Sequence, residues 1–211
     1  MTELTKLFNA ILDGDNKTAV ECTQQALSEG VQPMDLITNQ MIPAMSEVGR
    51  RFECEEYYVP ELLLSARAMK GALALLRPLL AASGTQPVAR VVIGTVKGDL
   101  HDIGKNLVSS MLEGGGFEVV DLGTDVTPER FILAVQEHRA NIVALSALLT
   151  VTMPMMKNTI EALKQASLRD RVKVMVGGAP VTREYATSIG ADGYSESATG
   201  AVAVARQLAA S

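Results

Sequence analysis

The stretch GTVKGDLHDIGKNLV, residues 94–108, holds one of only two histidines in the chain, two residues after an aspartate. An imidazole displayed on a loop ligates a metal through one ring nitrogen, and its other nitrogen then needs an acceptor. Asp99 stands where it can supply that acceptor to His101. Removing such an outer partner typically changes affinity or activity about 10–100-fold. Gly104 lets something bulky pass close to the backbone. The loop is neither a Walker phosphate loop nor a G-x-G-x-x-G turn, so nucleotide chemistry loses support. Taken alone, a D-x-H loop more often caps or packs than ligates.

Two further loops bear on that choice. In SALLTVTMP, residues 146–154, Ser146, Thr150 and Thr152 place three hydroxyls at one strand end and the turn after it. Gly177 and Gly178 remove side chains from a neighbouring strand end. Singly, each is an ordinary turn feature. Together they describe a small-walled, hydroxyl-lined slot running down between strands. One histidine cannot hold a bare ion, and Cys22 and Cys54 are too few for a thiolate zinc site or a disulfide framework. Both cysteines read as reduced small hydrophobes. A single protein ligand beside a long slot suits a metal that brings its own macrocycle and tail.

The elements that must carry these loops change character along the chain. Residues 1 to about 80 read as four amphipathic helices with short connections, a small antiparallel bundle. Leu4, Leu7, Phe8 and Ile11 share a face of the first; Gly30 stops the second; Pro33 opens the third, where Pro43 is placed to bend it; Pro60 opens the fourth. AASGTQP, 81–87, has the composition of a linker. Beyond it, β-rich apolar runs at 88–96, 118–123, 141–148, 172–178 and 191–195 alternate with helical stretches at 102–113, 127–139, 153–168 and 198–210. The pattern predicts a doubly wound, flavodoxin-like α/β domain over 88–211 with a five-stranded parallel sheet, preceded by a helical cap over 1–84. Ligands of such sheets sit at the carboxyl ends of the strands, where all three loops fall.

Totals exclude other classes. A net charge of −5, a pI near 5.1, four Phe and no Trp argue against nucleic acid as a partner. No apolar run is long enough for a bilayer, and the acidic N-terminus is unlike a secretory signal, so a cytoplasmic location is expected. His138 reads as a helix-end histidine, Met153, Met155 and Met156 as core filling, the acids of FECEEYY as a solvated loop, and Gly114 to Gly116 as a helix stop.

GDLHDIG resembles the D-x-H-x-x-G element of cobalamin-binding proteins, and its companions S-x-L (Ser146 to Leu148) and G-G (Gly177, Gly178) follow in order. The stretch MIPAMSEVGRRFECEEYYVPELLLSARAMKGALALL resembles the helical cap of methionine synthase and of the small corrinoid proteins of methyltransferase systems. The resemblance implies a corrinoid cofactor carrying a methyl group on cobalt (methylcobalamin), with the lower base displaced into the slot and His101 as lower axial ligand. It implies that Asp99 and then Thr152, where methionine synthase has serine, complete a relay behind His101. It implies further that Gly98, Leu100, Asp102, Ile103 and Leu148 belong to the cofactor-binding set, that Ser146 and Thr150 contact the buried tail or the ring edge, and that Gly104, Gly177 and Gly178 make room. Tyr194, Ser195 and Ala198 would line the far end of the slot, and Phe52, Tyr58 and Val59 would shield the upper face.

The function implied is a methyl carrier, accepting from a substrate-specific methyltransferase and delivering to a second, with a reductive activator as third partner and the linker at 81–87 as hinge. Such a chain is not a complete enzyme, since no substrate-activating site is visible elsewhere in it. A cobalamin-binding sensor and an adenosylcobalamin mutase subunit are the alternatives. Against them stand the missing basic helix-turn-helix and the helical cap itself.

Overall fold

The computed structural model describes residues 3–82 and 88–211. Residues 83–87, most of the expected linker and hinge, lie outside that description, as does the side chain of Leu4. The chain divides into two compact units, one helical and one α/β.

In the helical unit, α1 (Glu3–Leu12) and α2 (Asn16–Ser28) are joined by a turn in which the Asp15 carboxylate caps α2, accepting from the Thr18 amide at 3.0 Å. The expected third helix is interrupted. It runs as α3 (Pro33–Leu36), a π-helical turn Ile37–Met41, and α4 (Ile42–Glu53). Pro43 is the cause: it has no N–H to give and its ring crowds the preceding turn. The backbone therefore widens just before it, with the Ile42 amide reaching Ile37 O. Helix α5 (Val59–Ala82) closes the unit, and Leu7, Ile11, Leu36, Met41, Leu62, Met69 and Leu76 are fully buried in it. Phe8, expected on the same face as Leu7, is half-buried. The turn between α4 and α5 is tied down by Tyr57, whose hydroxyl donates to Leu12 O at 3.3 Å while accepting from Arg51 at 3.0 Å.

The α/β unit has five parallel strands in the order β2-β1-β3-β4-β5: β1 (Arg90–Thr95), β2 (Glu118–Asp121), β3 (Ile142–Ser146), β4 (Lys173–Gly177) and β5 (Gly193–Tyr194). Alternate strand residues point to opposite faces. Val92, Val143 and Val174 therefore join one core and Val91, Ile142 and Met175 the other. Burial on both faces is why the strands read as continuous apolar runs. The covering helices are α6 (Ile103–Gly114), α7 (Pro128–His138), α8 (Pro154–Gln165), α9 (Arg183–Ser188) and α10 (Ala198–Ala209). Helix α9 has no counterpart among the expected elements. It is only six residues long, held by Thr182 accepting from the Tyr185 amide at 3.2 Å. The last strand shrinks to two residues.

The minor expectations mostly hold. His138 ends α7, Met156 is core, and Gly114 ends α6. Cys54 does not: it is exposed beside the Arg50 guanidinium, while Cys22 is buried. No described helix is long and apolar enough to cross a membrane.

Candidate cofactor site

Strand order reverses between β1 and β3, and the loops leaving their carboxyl ends meet there. After β1 the chain makes a tight turn with Gly98 at φ +83°, a left-handed conformation that favours glycine. This turn drives the Asp99 carboxylate inward until it is fully buried, while the His101 side chain stays about half exposed.

Five donors converge on that carboxylate. Oδ1 receives the His101 amide at 3.1 Å and lies 2.7 Å from His101 Nδ1. Oδ2 receives the amides of Leu148 at 2.8 Å and Leu149 at 3.2 Å, and lies 2.7 Å from Thr152 Oγ1. The Thr152 hydroxyl has one proton and a second acceptor in reach, Leu149 O at 2.8 Å. Burial alone would raise the pKa of Asp99. The Thr152 hydroxyl, the Leu148 amide and both His101 donors outweigh it and hold the group well below the usual carboxylate range. The carboxylate is therefore ionised and can only accept. Nδ1 of His101 must then carry the proton, which leaves a lone pair on Nε2. Among the described residues nothing hydrogen-bonds to Nε2, so the relay presents an unused metal-ligating atom to the outside.

A depressed native pKa has a defined consequence. Asp99 contributes its full stabilisation above the unfolded carboxylate pKa of about 3.9 and loses it as pH falls below that value. Urea unfolding of the apoprotein followed from pH 6 to pH 2.5 should steepen below about pH 4, and Asp99→Asn should remove that part of the slope. Equal slopes in the two proteins would show that Asp99 titrates alike folded and unfolded.

Around His101 the surface is apolar where a monomeric protein is ordinarily polar. Leu100, Ile103 and Val151 are 73%, 82% and 80% exposed, with Leu148 and Leu149 each about two-fifths exposed beside them. Large apolar side chains exposed on the two loops that meet at His101 mark a binding surface. A Cβ on Gly104 would meet nothing within 4 Å, so no packing within the protein asks for glycine there; a bulky neighbour outside it would. Asp102 is exposed and accepts from Asn106 Nδ2 at 3.1 Å. Among the described residues no three of His, Cys, Asp and Glu converge to hold a metal ion by themselves. One nitrogen ligand ringed by exposed apolar side chains fits a metal held in a large, flat macrocycle.

The remaining expected residues divide. Ser146 ends β3 half-buried and Thr150 is exposed; neither hydroxyl bonds to a described residue, so only Thr152 of the three joins the relay. At Gly177 a Cβ would approach Ser195 O to 3.2 Å, and at Gly178, φ +131°, it would lie 1.9 Å from Ala147 O. Gly178 is thus required by the approach of β3 and β4 themselves. Tyr194 and Ser195 are half-buried and Ala198 is buried, at the same carboxyl end of β4: Tyr194 pairs with Val176, its ring lies under Arg183, and Ser195 Oγ donates to Ser197 O at 2.8 Å. In the helical unit Phe52 is half-buried, and Tyr58 and Val59 are exposed on the α4–α5 turn.

Several participants were invisible to residue-type reasoning. The Leu148 and Leu149 amides give no side-chain signal. Thr95, fully buried, donates its hydroxyl to His101 O at 2.8 Å, and Asp125 accepts from the Gly98 amide at 2.7 Å. Lys105, also buried, pairs with Asp121 at the end of β2 and donates to Asn106 Oδ1 at 2.6 Å.

Two family models match the chain, both described as B12 binding domains, one over residues 89–203 and the other over 3–77. The chain is 41% identical over 211 residues to a corrinoid protein of Desulfitobacterium hafniense, covering 99% of this chain and 98% of that one. It is 43% identical over 207 residues to trimethylamine corrinoid protein 1 of Methanosarcina acetivorans, covering 97% and 96%. Among solved structures it matches the methanol:cobalamin methyltransferase complex of Methanosarcina barkeri with a TM-score of 0.86 at 30% identity, covering 99% of this chain and 80% of that one. A cobalamin-binding protein of Desulfitobacterium hafniense matches at 0.81 and 33% identity, each chain covered to 99%.

Proposed function

We infer that this chain, which belongs to the B12-binding family, is the methyl-carrying corrinoid protein of a methyltransferase system, in which His101 would hold the cobalt. The observation that carries this reading is the relay from Thr152 through Asp99 to His101, which fixes one tautomer and aims one lone pair outward. When bound, the corrinoid supplies a cobalt that takes up and gives up a methyl group. The protein's own part is to hold, orient and shield. Leu100, Ile103, Leu148, Leu149 and Val151 would lie against the ring, and the open space over Gly104 would admit its edge. Ser146, Gly177, Tyr194, Ser195 and Ala198 are the residues we assign to the buried tail, and Phe52, Tyr58 and Val59 to the upper face.

Relatives named for trimethylamine and dimethylamine corrinoid proteins, and the methanol:cobalamin complex, support a substrate-specific methyltransferase as the donor partner. An acceptor methyltransferase, a reductive activator and a cytoplasmic setting complete the proposal. Reconstituted with cobalamin, reduced and given labelled methyl iodide, the protein should retain one methyl per cobalt. Binding of an adenosyl corrinoid without any uptake of methyl would turn the reading to a sensor or a mutase subunit.

A further inference from the structure

We propose that Asp125 is a positioning residue for the Asp99–His101 pair, clamping the loop after β1 from the loop after β2. The Asp125 amide donates to Asp99 O at 3.0 Å, and its Oδ1 accepts from the Gly98 amide at 2.7 Å. These two bonds bracket the peptide that aims the Asp99 side chain. They extend a short parallel bridge between Val96 and Val126, in which the Val126 amide donates to Thr95 O at 2.9 Å. On the other flank the Thr95 hydroxyl holds His101 O at 2.8 Å. The backbone on both sides of the relay is thus fixed from outside it.

Asp125 meets this geometry in a backbone conformation that side chains seldom adopt, φ +54°. Asp and Asn are the residues enriched there among non-glycines. An exposed residue held so has no packing reason for its conformation. Its two bonds to the neighbouring loop are the reason the structure offers. Asp125 bonds to neither the Asp99 carboxylate nor the His101 ring; it acts through the backbone, so its removal should loosen the aim of His101 without deleting any member of the relay.

The inference rests on His101 as cobalt ligand, and the test separates the two. Asp125→Gly keeps the left-handed backbone and deletes the acceptor, whereas Asp125→Asn keeps an acceptor oxygen. In the apoprotein, nitrogen-15 spectra of labelled histidine should show a single Nδ1–H tautomer for His101 in the parent and Asp125→Asn, and exchange between tautomers in Asp125→Gly. In cobalamin-loaded protein, the ratio of nitrogen-ligated to unligated cob(II) by electron paramagnetic resonance should fall about 3–10-fold in Asp125→Gly, the worth of one net hydrogen bond, and recover in Asp125→Asn. If Asp125→Gly does not fold, Asp125→Ser, whose hydroxyl is too short to reach Gly98, is read in its place. The proposal is overturned if the acceptor-less variant matches the parent in both measurements, or if Asp125→Asn is equally impaired. Absence of nitrogen coupling in the parent would sink the ligand assignment instead, and the apoprotein spectra would still decide the clamp.

Discussion

Alanine at His101 should leave the protein folded and able to retain its corrinoid, while erasing the nitrogen superhyperfine coupling from the cob(II) spectrum. The imidazole is about half exposed, so its loss opens no cavity in the core. Asp99 keeps four donors, the amides of His101, Leu148 and Leu149 and the Thr152 hydroxyl, and stays ionised and satisfied. The loss of folding stability is then that of one hydrogen bond to a charged group from a half-exposed ring, about 1–2 kcal/mol. The exposed apolar residues Leu100, Ile103 and Val151 are untouched, so corrinoid binding should weaken without disappearing. The nitrogen coupling has no such redundancy: the chain's other histidine, His138, ends α7 and takes no part in the relay. Histidine labelled with nitrogen-15 makes the assignment direct, since the isotope alters the splitting only when the ligand is a histidine. A variant spectrum identical to the parent's would show that cobalt was never held by this residue.

How much of this could be read from the sequence depends on where the information is stored. Asp99 and His101 lie two residues apart, so their pairing is a local fact and their types announce it. The sheet was legible for a similar reason: strands buried on both faces, such as Val91 to Ile93, leave an apolar run that no solvent-facing helix needs. The strand order that places the site is not local, yet right-handed crossovers leave few choices for it. Thr152 sits 53 residues from its partner. Its role came from resemblance and not from spacing.

The Leu148 and Leu149 amides could not be read at all, because every residue but proline offers the same N–H. Asp125 sits in GTDVTP, which looks like any polar turn. Gly178 was visible as a glycine, but its nearest protein obstacle was not: a side chain there would meet Ala147 O at 1.9 Å. The π turn ahead of Pro43 was foreseen only as a bend, since a proline states that a helix must yield without stating how.

Asparagine at Asp99 should be the most damaging change of its size. It preserves shape but replaces an acceptor of five donors by one oxygen and one NH₂. If the oxygen faces Leu148, Leu149 and Thr152, the NH₂ faces His101 Nδ1. The ring must then accept there, moving its proton to Nε2 and removing the lone pair that the proposed cobalt ligation needs. If the amide is reversed, the tautomer survives. The Leu148 and Leu149 amides then point at an NH₂, at about 1–3 kcal/mol for each buried donor left unmet. The first arrangement strands only the His101 amide, at a half-exposed residue, so it should prevail. The expected outcome is therefore a protein with modest loss of stability, a histidine still in place, and no nitrogen coupling to cob(II). In the apoprotein the nitrogen-15 spectrum of His101 should change from the Nδ1–H to the Nε2–H form. A variant that keeps the Nδ1–H tautomer together with parental stability would mean that the carboxylate does not set the state of the ring. His101 would then owe its direction to the backbone clasps of Thr95 and Asp125 alone.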